Sequence, residues 1–226
     1  MRKLLLITVT VLLSISQLLS NDIPDNIVRT LDSLSKNDCK IYKTSIYTAC
    51  YSTTYNRVLY TTYKVTPKSK LNNIKNRPKY YNNPKINVVK NKDYSDVKEY
   101  DRGHLAFHAA FDYSEESLYP LYDLELNIVP MLRNVNRIHN RHIEKVILNN
   151  ANSEEVTVVT ILVPSSKVLN NGHSNIPGNI NIPGKIITAV SVKGSTRCYI
   201  LDNIFDEYNN KPYLMDCMDI DYLKVL

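Results

Sequence analysis

Residues 100–114 read YDRGHLAFHAAFDYS and place an acid, an arginine, a glycine and a histidine side by side. These four residues follow neither the period of a buried strand nor that of a helix face, so their order is typical of a site. His104 can accept a proton near neutral pH, because an unperturbed imidazole has a pKa of about 6.5. Asp101 and Arg102 carry charges that suit an anion or a hydrated cation, and Gly103 would let the backbone turn tightly.

A second stretch, NIVPMLRNVNRIHNRHIEKV at residues 127–146, carries further polar residues that could join the first. It opens on Asn127, Asn136 stands 32 residues after His104, and Glu144 follows eight residues later. Amide and carboxylate oxygens are hard ligands of the kind that Mg²⁺ prefers. Together the two stretches resemble the DNA/RNA non-specific endonucleases, whose ββα-metal motif contains DRGH, Asn-Ile-x-Pro, Asn and Glu in this order.

The resemblance implies a role for each of three residues in hydrolysing a phosphodiester bond. His104 would activate the attacking water as general base, and Asn136 would hold Mg²⁺, or Mn²⁺, through its amide oxygen. Eight residues of an α-helix rise about 12 Å and end about 80° past two full turns, so Glu144 would hold a water of the metal's shell instead of binding the metal directly. The substrate would be DNA, RNA or both, with low sequence specificity, because phosphate contacts carry no sequence information.

Neighbouring residues are expected to support these three. Arg102 and Asp101 would contact the phosphate or orient the metal and its waters, or else brace the backbone turn at Gly103. The family also uses an arginine upstream of DRGH to hold the scissile phosphate, and Arg77 is the matching candidate, because a guanidinium suits bidentate phosphate contact. Asn127 is assigned a structural or outer-shell role.

Several neighbours of the motif depart from the family's pattern. Phe107 and His108 stand where proline and small residues are common, Met131 replaces a frequent glutamine, and Asn140 replaces the usual tryptophan. None of these changes removes the base or the metal ligand. They motivate an alternative hypothesis, in which the chain is a catalytically weakened nucleic-acid-binding protein on the same fold.

A third hypothesis is a zinc hydrolase built on His139 and His142 with another histidine. Residues three apart share a helix face and could chelate a metal. The His-Glu-x-x-His pattern of zinc proteases is missing, however, and no third ligand is placed by the sequence. Two histidines on a basic helix are more simply interpreted as a solvated face.

These residues need a scaffold, and the sequence predicts an α+β fold with a central antiparallel sheet flanked by helices. Apolar spacing predicts helices over 23–34 and 135–149, the second with Val135, Ile138, Ile143, Val146 and Ile147 as its apolar set. β-Branched and aromatic residues predict strands over 44–53, 57–66, 154–164, 185–192 and 196–201.

Loops are predicted between these elements. Proline-, asparagine- and lysine-rich residues 67–98 form the longest of them, and long loops often carry function. Residues 171–184 form a second, turn-rich loop. No repeat or linker divides the chain, so residues 21–226 would form a single nuclease domain, with the ββα-metal core at about 95–150.

The N-terminus, MRKLLLITVTVLLSISQLLS, combines a basic start with an apolar run too short to span a bilayer. It predicts a signal peptide over residues 1–20, cleaved after Ser20 or alternatively Ser16, with an uncleaved anchor as the competing interpretation. The mature chain would have no membrane span and would be secreted or periplasmic. Its formal charge falls from +6 to +4 because Arg2 and Lys3 are lost. A mildly basic chain is compatible with a polyanionic partner but does not require one.

The four cysteines all lie in the mature part, and four cysteines allow three pairings. An exported protein meets an oxidising compartment, where disulfides form and persist. The two local pairs, Cys39–Cys50 and Cys198–Cys217, are favoured, with free or differently paired thiols as the alternative.

Overall fold

A seven-stranded antiparallel sheet is the largest feature of the protein, seen in a computed structural model that describes residues 22–67, 73–89, 91–94, 98–169, 180–203 and 212–220. The sheet contains β1 (Lys40–Lys43), β2 (Tyr47–Ser52), β3 (Arg57–Val65), β6 (Val156–Val163), β9 (Lys185–Val192), β10 (Ser195–Asp202) and β11 (Tyr213–Met215), in the order β1-β2-β3-β6-β9-β10-β11. Two strand pairs stand apart from it: β4 (Tyr100–His104) with β5 (Ile128–Leu132), and β7 (Val168–Leu169) with β8 (Ile180–Asn181). The predicted signal peptide lies outside the described residues.

Both faces of the central sheet are covered, so its middle strand β6 is buried at every position. Successive side chains of a strand point to opposite faces. On β6, Val158 packs into the core on the side of the motif, whereas Val159 packs against helix α1 (Asp25–Asn37). The helix contributes Ile27, Leu31 and other buried apolar residues to that second core. The sheet therefore separates α1 from the elements that carry the motif.

The remaining α-helices follow the motif in the sequence. They are α2 (Glu115–Leu118), α3 (Arg133–Ile138) and α4 (Lys145–Asn150), with short 3-10 turns at Asn91–Tyr94, His108–Ala110, Tyr119–Tyr122 and Cys217–Asp219. A π-helical segment, His139–Glu144, joins α3 to α4 without a break in the helical backbone. Residues 133–150 are called the site helix below. No helix in the described ranges is long and apolar enough to cross a membrane.

The predicted α+β class and the antiparallel sheet are confirmed, as are the two local disulfides, Cys39–Cys50 and Cys198–Cys217. The sequence analysis did not predict β1 and β11, which are short strands at the two edges of the sheet and present weak patterns. It also left β4 and β5 unassigned, because a site motif does not alternate as a half-buried strand does. Most of the predicted loop at 171–184 lies outside the described residues.

The residues that the site helix buries are not the set predicted from the sequence. Val135, His139, Ile143 and Ile147 are buried, at intervals of four residues, whereas Ile138 is only partly buried. An α-helix drifts by about 40° over four residues. A π turn contains one residue more than an α turn, so the π segment removes most of this drift and places a histidine in the buried row.

Candidate active site

A cleft of about 370 Å³ brings the predicted site residues together. Its walls come from loop residues 73–89, from β4 with the segment that follows it, and from the site helix. The predicted residues that line the cleft are Arg77, Asp101, Arg102, His104, Asn136 and Glu144. The other lining residues are Tyr80, Phe107, His108, Ala109 and Asn140, of which three were noted as departures from the family pattern.

The strand pair β4–β5 positions the motif. His104 ends β4 opposite Ile128, and the chain beyond it is held by Asn127, which is fully buried. The Asn127 amide accepts from the backbone N–H of Ala106 and donates to the carbonyls of Ala106 and Leu121, each at 2.8 Å. A buried amide that satisfies three backbone groups fixes the turn after DRGH, so Asn127 supports the site without lining the cleft.

His104 lies in an aromatic corner of the cleft. Its ring is partly buried between Tyr80 and Tyr122, whose ring centroids lie 5.9 and 5.2 Å away. The Nε2 atom is buried and has no hydrogen-bond partner among the described residues. Burial lowers the pKa of the imidazole to about 3, and the electrostatic effects of Arg77 and His108 act in the same direction. A hydrogen bond with the backbone of Arg102 acts in the opposite direction. The ring is therefore neutral, as a proton acceptor must be, at neutral pH.

We expect His104 to remain neutral in the metal-free protein from about pH 8 to about pH 4, because the base form is lost only as the pH falls through the lowered pKa. Imidazole NMR signals followed through a pH titration measure this directly. Arg77→Ala should raise the midpoint, since it removes one of the charges that oppose protonation. A His104 midpoint near 6.5, unchanged by Arg77→Ala, would contradict the described environment.

Asp101 fixes the orientation of Asn136. Its Oδ2 atom accepts a hydrogen bond from the Asn136 amide nitrogen at 3.1 Å, and its Oδ1 atom lies 3.4 Å from Nε of Arg133. Because the amide nitrogen is engaged, the amide oxygen of Asn136 is left to accept a ligand in the cleft. Arg133 lies within the second stretch, but it was not predicted as a site residue and is recognisable only from this contact.

Glu144 lies on the same side of the site helix as Asn136, contrary to the offset of about 80° expected for an α-helix. The π segment contains one residue more per turn than an α-helix, and this reduces the total rotation between Asn136 and Glu144 by about 100°. The expected offset of about 80° therefore becomes an offset of about 20° in the other direction. Asn140 lies between them. In the amide orientation that satisfies its neighbours, its side-chain nitrogen donates to the backbone carbonyl of Asn136 at 3.0 Å and to Oε1 of Glu144 at 2.7 Å. Nδ1 of the buried His139 lies 3.4 Å from the same carboxylate oxygen.

Arg102 is held between two aromatic rings. Its guanidinium carbon lies 5.0 Å from the ring centre of Tyr80 and 5.9 Å from that of Tyr94, which are cation–π distances. One terminal nitrogen donates to the Asn91 carbonyl at 3.3 Å, while Nε is buried without a partner among the described residues. The rings preorganise the guanidinium at the wall of the cleft. Tyr80 is a second site residue that sequence reasoning missed.

The loop that carries Arg77 and Tyr80 is fastened to the core by a buried carboxylate. Glu125 is fully buried and accepts hydrogen bonds from the backbone N–H groups of Asn83, Val88 and Val89 at 2.7 to 3.2 Å. Burial raises the pKa of Glu125, and these backbone hydrogen bonds act in the opposite direction. Residues 83–89 of the predicted long loop are thus anchored to the core directly after the segment that lines the cleft.

Gly103 does not form the tight turn that the sequence analysis assigned to it. It lies within β4, paired with Val129 of β5. A Cβ atom at this position would stand 2.7 Å from both Cβ and Cε of Met131. The glycine is needed because a neighbouring side chain approaches the backbone closely, and the departure at Met131 makes that contact.

Gly103→Ala should therefore destabilise the protein by about 1–3 kcal/mol, the usual cost of an overpacked site. Urea unfolding of the variant measures the free energy of unfolding. The same substitution in a Met131→Gly background should cost less, because both opposing atoms are then gone. Equal costs in the two backgrounds would show that the close approach is not the reason for the glycine.

The zinc hypothesis does not fit the geometry. His139 is buried beside Glu144, whereas His142 is exposed on the other side of the π segment, so the two rings do not share a face. Across the described ranges, no group of three or more His, Cys, Asp or Glu side chains is placed to hold a metal. The interpretation of both histidines as a solvated face is wrong for His139, because the π segment turns it into the core.

The comparisons with known proteins agree with this architecture. The model of the DNA/RNA non-specific endonuclease family matches residues 29–224, nearly the whole chain. No curated protein matches the chain. The match includes both motifs, the strand pair β4–β5 and the site helix. The chain therefore belongs to the DNA/RNA non-specific endonuclease family.

Proposed function

We propose that the protein is a Mg²⁺-dependent endonuclease that hydrolyses phosphodiester bonds of DNA and RNA with low sequence specificity. The observation that carries this proposal is that a neutral histidine, an oriented amide oxygen, two carboxylates and two arginines line the same cleft. Phosphodiester hydrolysis needs a proton acceptor for water and positive charge around the phosphate. In the cleft, His104 can supply the proton acceptor, and Arg77 and Arg102 can supply the positive charge.

The residues of the cleft fit a hard divalent cation. Asn136 offers an amide oxygen because its nitrogen is bound to Asp101, and Asp101 and Glu144 add carboxylates close by. Mg²⁺ commonly keeps several waters and takes one or two protein oxygens, so this sparse donor set suits it, and Mn²⁺ is an acceptable substitute. When bound, the cation supplies charge neutralisation at the phosphate and at the departing oxygen.

The side chains of this chain supply the remaining steps. Neutral His104 takes a proton from the attacking water, and its burial keeps the ring in the base form. Arg77, on the opposite wall, and Arg102, held between its tyrosine rings, contact the phosphate oxygens. Glu144, held through Oε1 by Asn140, orients water in the cleft.

The proposed location is the periplasm or the exterior of the cell, and residues 21–226 would act as one nuclease domain. Two disulfides are consistent with an oxidising compartment, where such bonds persist. The proposal also keeps the signal peptide at residues 1–20, which is supported by the sequence pattern alone.

Matched oligonucleotides test the proposed reaction. Because His104 acts on water, cleavage does not depend on a ribose 2′-hydroxyl. DNA, RNA and 2′-O-methyl RNA of one sequence should therefore all be cleaved in Mg²⁺, and none in EDTA. Cleavage of unmodified RNA alone would instead identify the 2′-hydroxyl as nucleophile. Binding of all three without cleavage would favour the alternative, a catalytically weakened binding protein.

Asn140 is expected to act as a positioning residue for Glu144. Asn140→Ala removes a hydrogen bond to a carboxylate, so the cleavage rate should fall about ten- to a hundredfold. The variant should also bind Mn²⁺ more weakly, as measured by electron paramagnetic resonance, while KM for DNA changes little. Asn149→Ala, at an exposed position on the same helix, is the matched control. Unchanged Mn²⁺ binding in Asn140→Ala would contradict this role.

A further inference from the structure

The site helix carries a row of basic residues that the cleft does not use. Arg137, Arg141 and Lys145 each follow by one position a residue that lines the cleft. The intervals of four residues stay in line here because the π segment cancels most of the α-helical drift. The three side chains, called the basic ridge below, therefore run parallel to the row formed by Asn136, Asn140 and Glu144, about 100° further round the helix.

The basic ridge is exposed and carries no compensating acid. All three residues are exposed, and within the described part of the chain none of them forms an ion pair. The nearest carboxylate along the helix, Glu144, is partly buried and engaged by Asn140. Three neighbouring cations without counter-charges produce a positive potential that attracts a polyanion.

The opposite wall of the cleft is basic as well. Loop residues 73–89 carry four exposed cations, none of which is in an ion pair within the described ranges: Lys75, Arg77, Lys79 and Lys85. Arg77 of this loop lines the cleft together with the carboxylates Asp101 and Glu144, whereas the basic ridge lies on the neighbouring flank of the site helix. A partner that contacts both the loop and the ridge must carry negative charge on either side of the point where it crosses the cleft.

We propose that the basic ridge binds the phosphates that flank the scissile phosphate, on the helix side of the cleft, so that the enzyme favours long nucleic acids over dinucleotides. This rests on the proposed function. The ridge spans about 12 Å along the helix axis. A nucleic-acid strand advances about 3.4 Å per phosphate, so the ridge covers three to four phosphates. Such contacts are independent of base sequence, in agreement with a non-specific enzyme.

A charge-neutral ridge variant, R137Q/R141Q/K145Q, tests the proposal against a matched control, R29Q/K36Q/K40Q. The control removes the same charge from exposed positions on α1 and β1, of which α1 lies across the sheet from the cleft. Fluorescence anisotropy with a duplex of about 20 base pairs, in EDTA and at several salt concentrations, gives the affinity and its salt dependence. Each lost phosphate contact should reduce the slope of log K against log salt concentration by about 0.9.

In the ridge variant, the slope of log K against log salt concentration should be smaller by about two to three than in the wild type. In the control variant, the slope should change much less. In Mg²⁺, the ratio of kcat/KM for the duplex to that for a dinucleotide should fall tenfold or more in the ridge variant. An unchanged slope, or equal losses in both variants, would overturn the ridge proposal. Absence of cleavage by the wild type would instead defeat the proposed function, and the binding slopes would still test the ridge. Arg141→Glu alone should reproduce the direction of the effect if the triple variant folds poorly.

Discussion

His104→Ala should lower the rate of plasmid cleavage about a thousandfold, within the range that a general base contributes. Burial lowers the pKa of His104 to about 3, so the ring is in the neutral form that a general base needs at neutral pH. Cleavage followed on agarose gels under single-turnover conditions, at saturating enzyme, isolates the chemical step.

Binding separates this role from a structural one. His104→Ala should keep the affinity for DNA in EDTA, because the proposed phosphate contacts are made by Arg77, Arg102 and the basic ridge. His142→Ala is a suitable control, since that histidine is exposed outside the cleft. A His104→Ala protein that cleaves within tenfold of the wild-type rate would eliminate His104 as the base and direct attention to His108.

Asn136→Ala is the second substitution with a large expected effect. It removes the amide oxygen that Asp101 orients, so Mn²⁺ affinity should fall tenfold or more and cleavage in Mg²⁺ about a thousandfold. Isothermal titration with Mn²⁺ measures the affinity independently of activity. Cleavage should recover in part at high metal concentration, because the base and the arginines remain.

The Asp101→Asn variant refines this result. An amide at position 101 no longer accepts as strongly from Asn136 and loses the ion pair with Arg133, so metal affinity should fall by a smaller factor. Asn149→Ala again serves as the control on the same helix. Unchanged Mn²⁺ affinity in Asn136→Ala would place the metal elsewhere, with Glu144 the next candidate.

The fold, and the meeting of the motif residues in one cleft, were predictable because they rest on strong local patterns. Alternating and β-branched residues identify β3, β6, β9 and β10, and the motif identifies His104 and its neighbours by residue type and spacing. These patterns are local in sequence, whereas the register of a strand buried on both faces, such as β6, does not follow from them.

The features that could not be predicted depend on tertiary contacts. The π segment changes which residues share a face of the site helix, and an α-helical projection therefore misplaces Glu144 and His139. A period-four row of Val135, Ile143, Ile147 and Ala151 is the signal that could have revealed it. The cation–π contacts of Arg102 are made with tyrosines from separate segments of the chain, so no local sequence pattern predicts them.

Met131 and Asn140, two departures from the family pattern, both make specific contacts near the cleft. Met131 fills the space that a Cβ at Gly103 would need, so the two positions are coupled. Asn140 stands where the family usually has tryptophan, yet it binds Glu144 directly.

Nicking of supercoiled plasmid by the purified mature chain, in Mg²⁺ and in EDTA, tests the central claim most directly. Metal-dependent cleavage follows if the cleft holds a cation at Asn136 and a neutral base at His104. We predict conversion of the supercoiled form to nicked, linear and then short fragments in Mg²⁺, and none in EDTA. Plasmid that is bound but left intact in Mg²⁺ and in Mn²⁺ would contradict the assignment of the cleft as a phosphodiesterase site.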